Sequence, residues 1–176
     1  MPEPGDTAPA APAAPAKTKP AKAEPAAPAA ADSPPDDGGT GSPISRTDID
    51  LVRQSFAQIE PISMVVSRTF YERLFESSPE IRTMFTGDME AQGERLMDMI
   101  GAAIAGLDDL EALIPILQQL GIRHKNYGVQ VSHYAAVAEA LLWTLEQGLT
   151  DAFTPEVRNA WVNVYTVLAE TMISAS

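Results

Sequence analysis

From Ile49 onward, apolar residues recur at spacings of three and four, the pattern of helices that bury one face. Ile49, Val52, Phe56 and Ile59 form the stripe of a first helix, with Thr47-Asp-Ile-Asp50 as a capping-box-like start. Pro61 interrupts it and predicts a second helix from about Ile62 to Ser77. Val66, Phe70 and Leu74, flanked by Tyr71 and Phe75, give that helix a broad apolar face. Ser78-Pro79-Glu80 opens a short helix ending near Met84-Phe85, and a loop runs through Gly87-Asp88. Met89, Gln92, Leu96, Ile100 and Ala103 then share one face of a longer helix. After a turn at Gly106-Leu-Asp-Asp109, Leu113, Leu117, Leu120 and His124 line the next, which Gly128 can stop. Ser132 can cap a helix with Tyr134, Val137, Leu141 and Leu145 inward. Thr154-Pro-Glu156 opens the last, with Val157, Trp161, Val164, Leu168 and Met172 in register. No segment alternates with period two, so the domain reads as all-α. Its unequal helices and short corners do not suit an up-down bundle.

Before residue 43 this pattern is missing. Residues 1–42 hold 10 of the 15 prolines and no Leu, Ile, Val or aromatic residue. Such a segment buries too little apolar surface to offset chain entropy. The expected organisation is a disordered Ala/Pro/Gly-rich N-terminal extension over 1–44 and a folded domain over 45–176. The extension reads as a spacer or solubility tail, or as an arm that binds a partner. A net charge of −12 argues against a nucleic-acid or anionic-membrane surface, since both reward clustered Lys and Arg. The absence of cysteine excludes disulfides, thiolate nucleophiles, Cys-based metal sites and Cys-x-x-Cys-His haem attachment. No apolar run approaches a membrane span, and the first thirty residues resemble neither a secretory signal nor a transit peptide. A cytoplasmic location is therefore expected.

His124 ends an otherwise apolar stripe. Its imidazole is either a core group hydrogen-bonded to neighbours or a metal ligand. Zinc requires three or four protein ligands, and no second His and no Cys lies nearby. One imidazole suffices where a haem supplies the other four equatorial positions. By the same reading of residues, Tyr71 is a helix-face core tyrosine or a polar pocket residue. Gln92 is a solvent-facing polar residue or a second pocket residue.

The order and spacing of several short motifs go further. Phe70-Tyr71-Glu-Arg-Leu-Phe75, Pro79-Glu-Ile-Arg-x-Met-Phe85, Gln92-x-x-x-Leu96 and Leu120-Gly-x-Arg-His124-x-x-Tyr-Gly128-Val occur in that sequence. Ser132-His-Tyr134, Glu139-Ala-Leu-Leu, Phe153-Thr-Pro and Ala160-Trp-x-x-x-Tyr165 follow. From about Arg46 to Ile173 the chain resembles the bacterial single-domain haemoglobins related to the haem domains of flavohaemoglobins. The resemblance implies a globin fold of about seven helices around one non-covalent b-type haem, an iron-protoporphyrin IX. It implies that His124 is the axial iron ligand and that Phe85 packs on the porphyrin. Tyr71 and Gln92 then become the polar residues of the distal pocket, and Leu96 lines it. Tyr134 matches the tyrosine of the proximal Tyr–Glu network that strengthens the axial His. The acid of that network has no match: the chain runs Thr171-Met-Ile-Ser-Ala-Ser176, and Glu170 lies more than a turn too early. His133 reads as a surface residue at a corner.

The function this resemblance implies is reversible binding of O2, with NO and CO as further ligands. An alternative is an NO dioxygenase or peroxidase-like enzyme. The chain carries no flavin or nicotinamide domain, so that enzyme would take electrons from a separate reductase. A further alternative is a haem-based sensor or haem-handling protein that uses the tail as its contact arm. The assembly is expected to be a monomer or homodimer.

Overall fold

The computed structural model describes residues 43–176. The expected tail lies outside the described residues except for Pro43 and Ile44. Ile44 is only 2 % exposed and belongs to the core, so the folded domain begins one residue before the expected boundary at 45.

Six α-helices carry the domain: α1 (Arg46–Ile59), α2 (Ser63–Ser77), α3 (Met89–Ala105), α4 (Leu110–Asn126), α5 (Val131–Leu149) and α6 (Pro155–Ser174). Short 3-10 turns link them at Glu60–Ile62, Pro79–Met84, Gly106–Asp108 and Thr150–Ala152. No strand occurs among the described residues. Prolines open two of these turns and α6, where the missing N–H costs nothing. The α1 cap is Ser45, whose hydroxyl accepts from the Asp48 N–H at 3.0 Å, and not a residue of the Thr47–Asp50 box. Asp88, Asp109 and Thr154 cap α3, α4 and α6 in the same way. Gly128 stops α4 with φ of +84°, a conformation that favours glycine over a residue with a Cβ.

The helices pair as α1 with α6, α4 with α6, α2 with α5 and α2 with α3. Two apolar clusters result. The larger joins α1, α4 and α6 to the end of α3 through Val52, Ile59, Ile104, Leu113, Leu117, Trp161 and Val164. One buried polar link crosses it, from Trp161 Nε1 to Ser55 Oγ at 2.9 Å. The smaller holds Phe70, Tyr71, Leu74 and Ile81, with Phe75, Phe85, Met89, Leu96 and Val137 packed around them. Leu141 of α5 touches both.

Two glycines set how closely helices approach. A Cβ on Gly93 would lie 2.5 Å from Ser67 Oγ, so α3 crosses α2 at the residue after Gln92. A Cβ on Gly121 would fall inside the van der Waals radius of the Met172 carbonyl, so α4 crosses α6 three residues before His124. A backbone oxygen cannot swing aside as a side chain can. Alanine gains about 1 kcal/mol of helix propensity over glycine, while overpacking typically costs about 1–3 kcal/mol or more. Gly121→Ala should therefore lower the melting temperature by several degrees. Gly101→Ala meets only the Phe56 ring at 3.5 Å, an ordinary contact, and should hold or raise it. Calorimetry of the pair checks this, and a Gly121→Ala protein as stable as the parent would refute the crossing.

Candidate functional site

The face of α3 bearing Met89, Gln92, Leu96, Ile100 and Ala103 is half-buried along its length. The fully buried line lies one residue further on, at Gly93, Met97 and Ile104. The polar Gln92 thus stands beside the core and not within it. The Gln92 side chain reaches α2, with Nε2 donating to the Tyr71 hydroxyl at 3.4 Å. Tyr71 is 6 % exposed, and its ring stands 5.3 Å from Phe85, 5.6 Å from Phe75 and 5.1 Å from Phe70. Burial raises the Tyr71 phenol above its ordinary pKa, while the Gln92 N–H and the Arg95 charge pull it down. Leu96, one turn beyond Gln92, packs in the same cluster. Four of the expected site residues, Tyr71, Phe85, Gln92 and Leu96, are therefore neighbours.

The other two form a second group. The His124 ring centroid is 6.0 Å from that of Tyr134 on α5. His124 Nδ1 lies 2.8 Å from the Leu120 carbonyl, one helical turn back. That contact assigns the proton to Nδ1 and leaves the Nε2 lone pair free to ligate. The Tyr134 hydroxyl is buried and has no hydrogen-bond partner among the described residues. Its pKa is raised by burial. Glu170 is exposed. The Tyr165 hydroxyl donates instead to the Tyr134 backbone carbonyl at 2.7 Å, and burial raises its pKa far above normal. Tyr134, Val137 and Leu141 share one face of α5, so that helix connects the His124 group to the cluster around Tyr71.

His133 departs from its reading as a surface residue. It is 9 % exposed, and its Nδ1 accepts from the Gln130 N–H at 3.2 Å in a capping box. Gln130, and not Ser132, caps α5. Arg95 went unnoticed in the sequence. Its Nη2 donates to Gln92 Oε1 at 3.0 Å, and its Nε is buried without a partner. The i,i+3 spacing from Gln92 was the available signal.

Comparison with known proteins bears directly on this pairing of groups. The Globin family model matches residues 68–172, a stretch that contains both. The chain belongs to the globin family. It is 32 % identical to the neuroglobin of Chaenocephalus aceratus over 143 residues, 73 % of this chain and 90 % of that protein. It is 29 % identical to the flavohemoprotein of Bacillus subtilis (strain 168) over 128 residues, and 31 % to that of Bacillus anthracis over 136. These alignments cover 71 % and 74 % of this globin, which spans about a third of the flavohemoproteins' length.

Globin membership implies a haem cofactor, and the residues of this chain fit one. No group of three or more His, Cys, Asp or Glu among the described residues could hold a bare metal ion. A single imidazole with its Nδ1 proton tied down instead suits an iron already held in a macrocycle. Apolar and aromatic side chains, Phe85, Leu96 and Val137 among them, supply the surface a porphyrin requires. The buried, unpartnered Tyr134 hydroxyl and Arg95 Nε offer polar groups that the protein itself leaves unsatisfied. No helix of the described residues is long and apolar enough to cross a membrane.

Proposed function

We propose that this globin binds O2 reversibly on a non-covalent b-type haem, with His124 as axial ligand and Tyr71 as the hydrogen-bond donor to the ligand. Without cysteine the chain has no residue for thioether attachment. When bound, the haem would supply an iron that takes a diatomic ligand, and His124 would hold that iron. The chain's own residues then decide how long that ligand stays. His124 holds its proton on Nδ1 against Leu120, which orients the ring and frees Nε2. Phe85 and Leu96 exclude water from the distal side. Tyr71 holds its proton on Oη, and burial keeps that proton in place through neutral and mildly alkaline pH. NO and CO are expected to bind at the same position.

The observation that carries this reading is the buried Tyr71 hydroxyl, which accepts from Gln92 and donates to no group among the described residues. A second reading, an NO dioxygenase or peroxidase-like enzyme served by a reductase, draws on the likeness to flavohemoproteins.

Optical spectra of the purified protein as ferric, ferrous, and ferrous with CO or O2 test the assignment. The O2 spectrum should form on exposure to air and revert on removal of the gas. Sustained consumption of NO that depends on an added reductase, beyond one equivalent of NO per haem, would favour the enzyme. A chain that takes up no haem would refute both.

A further inference from the structure

Arg95 and Gln92 lie three residues apart on α3, close enough for their side chains to meet. An amide has two similar ends, one that accepts and one that donates, and its orientation is set by its partners. A guanidinium can only donate. With Arg95 Nη2 at 3.0 Å, the Gln92 atom facing it must be the oxygen, and the end facing Tyr71 must be the NH2. The Tyr71 oxygen is then an acceptor, and its own proton has to point elsewhere. With the amide reversed, Gln92 Oε1 would accept that proton and the pocket would lose its donor.

We propose that Arg95 is a positioning residue of the distal site, one that fixes the Gln92 amide so that the Tyr71 proton stays free for the ligand. Gln92 then acts on the ligand through Tyr71. This rests on the reading of Tyr71 as the ligand's donor. Packing holds the guanidinium in position, since Arg95 is half-buried with its Nε fully covered and is not a freely solvated cation. Its charge also lowers the Tyr71 phenol pKa against the effect of burial.

A double-mutant cycle on the full-length, haem-loaded protein tests the relay. Arg95→Met, which keeps the apolar stem, should speed O2 release by roughly two- to ten-fold, the loss of one hydrogen bond. In a Tyr71→Phe background the same change should have almost no effect, because the proton it positions is gone. CO release should hardly change in either background. The infrared C–O stretch of the CO complex should move in Arg95→Met toward its value in Tyr71→Phe. If Arg95→Met does not fold, Arg95→Gln takes its place, since its neutral amide can donate or accept and no longer dictates which end of Gln92 faces Tyr71. The same acceleration in both backgrounds, or none in either, would overturn the relay alone. A Tyr71→Phe protein with unaltered O2 release would overturn the distal reading and the relay with it.

Discussion

His124→Ala should strip the protein of its haem. Second-shell partners of metal ligands are typically worth 10- to 100-fold in affinity, so loss of the ligand itself should weaken retention by about a hundred-fold or more. No other imidazole among the described residues can substitute. His133 is buried, and its Nδ1 is already engaged by the Gln130 N–H. The fold should survive the change, because His124 is half-buried near the end of α4 and that helix is anchored by Leu113, Leu117 and Gly121. Far-ultraviolet circular dichroism should therefore look like that of the haem-free parent. Free imidazole added to the variant should restore the haem spectrum, since it supplies the nitrogen the side chain provided. A His124→Ala protein that purifies with full haem and an unaltered ferrous spectrum would end the axial-ligand assignment.

The helices were legible because a period of three to four is written along the whole domain, and all six begin within about two residues of their expected starts. Their caps were less so. Ser45 and Thr47 both carry a hydroxyl suited to an N-cap, and what separates them is Ile44. It stands just before the cap and shares a core cluster with Ile49 four residues past it, an arrangement of the hydrophobic-staple kind. That choice depends on tertiary packing, so local motif reading missed it. At α5 a glutamine and a buried histidine form the capping box, a pair outside the usual Ser/Thr-x-x-Glu pattern.

The site divides along the same line. His124, Tyr71 and Gln92 stand out as polar residues on apolar faces, and the sequence could single them out without any knowledge of helix pairing. Gly93 and Gly121 could not be ranked that way, because a small residue at a crossing has meaning only once its partner helix is known. The same holds for Arg95. A lone arginine on a half-buried face reads as solvated until Gln92 and Tyr71 are placed beside it.

Tyr71→Phe should be the most informative change on the distal side. It keeps the ring and its contacts with Phe70, Phe75 and Phe85, and removes only the hydroxyl. Gln92 loses an acceptor at 3.4 Å, a long bond that contributes little by itself. What disappears is the donor to a ligand oxygen carrying partial negative charge. Hydrogen bonds of that kind are worth about 1–3 kcal/mol in a site shielded from water. At 1.4 kcal/mol per decade, O2 should leave about five- to a hundred-fold faster, with the loss falling mostly on dissociation. CO accepts hydrogen bonds poorly on haem, so its release should change far less. The contrast separates mechanism from packing, since a loosened pocket would free both gases alike. The raised pKa of Tyr71 adds a second check: in the parent protein, O2 release should stay flat from neutral pH to about 9, below the ordinary phenol pKa near 10. An O2 off-rate that Tyr71→Phe leaves unchanged would reduce Tyr71 to a core residue and remove the distal donor from the mechanism.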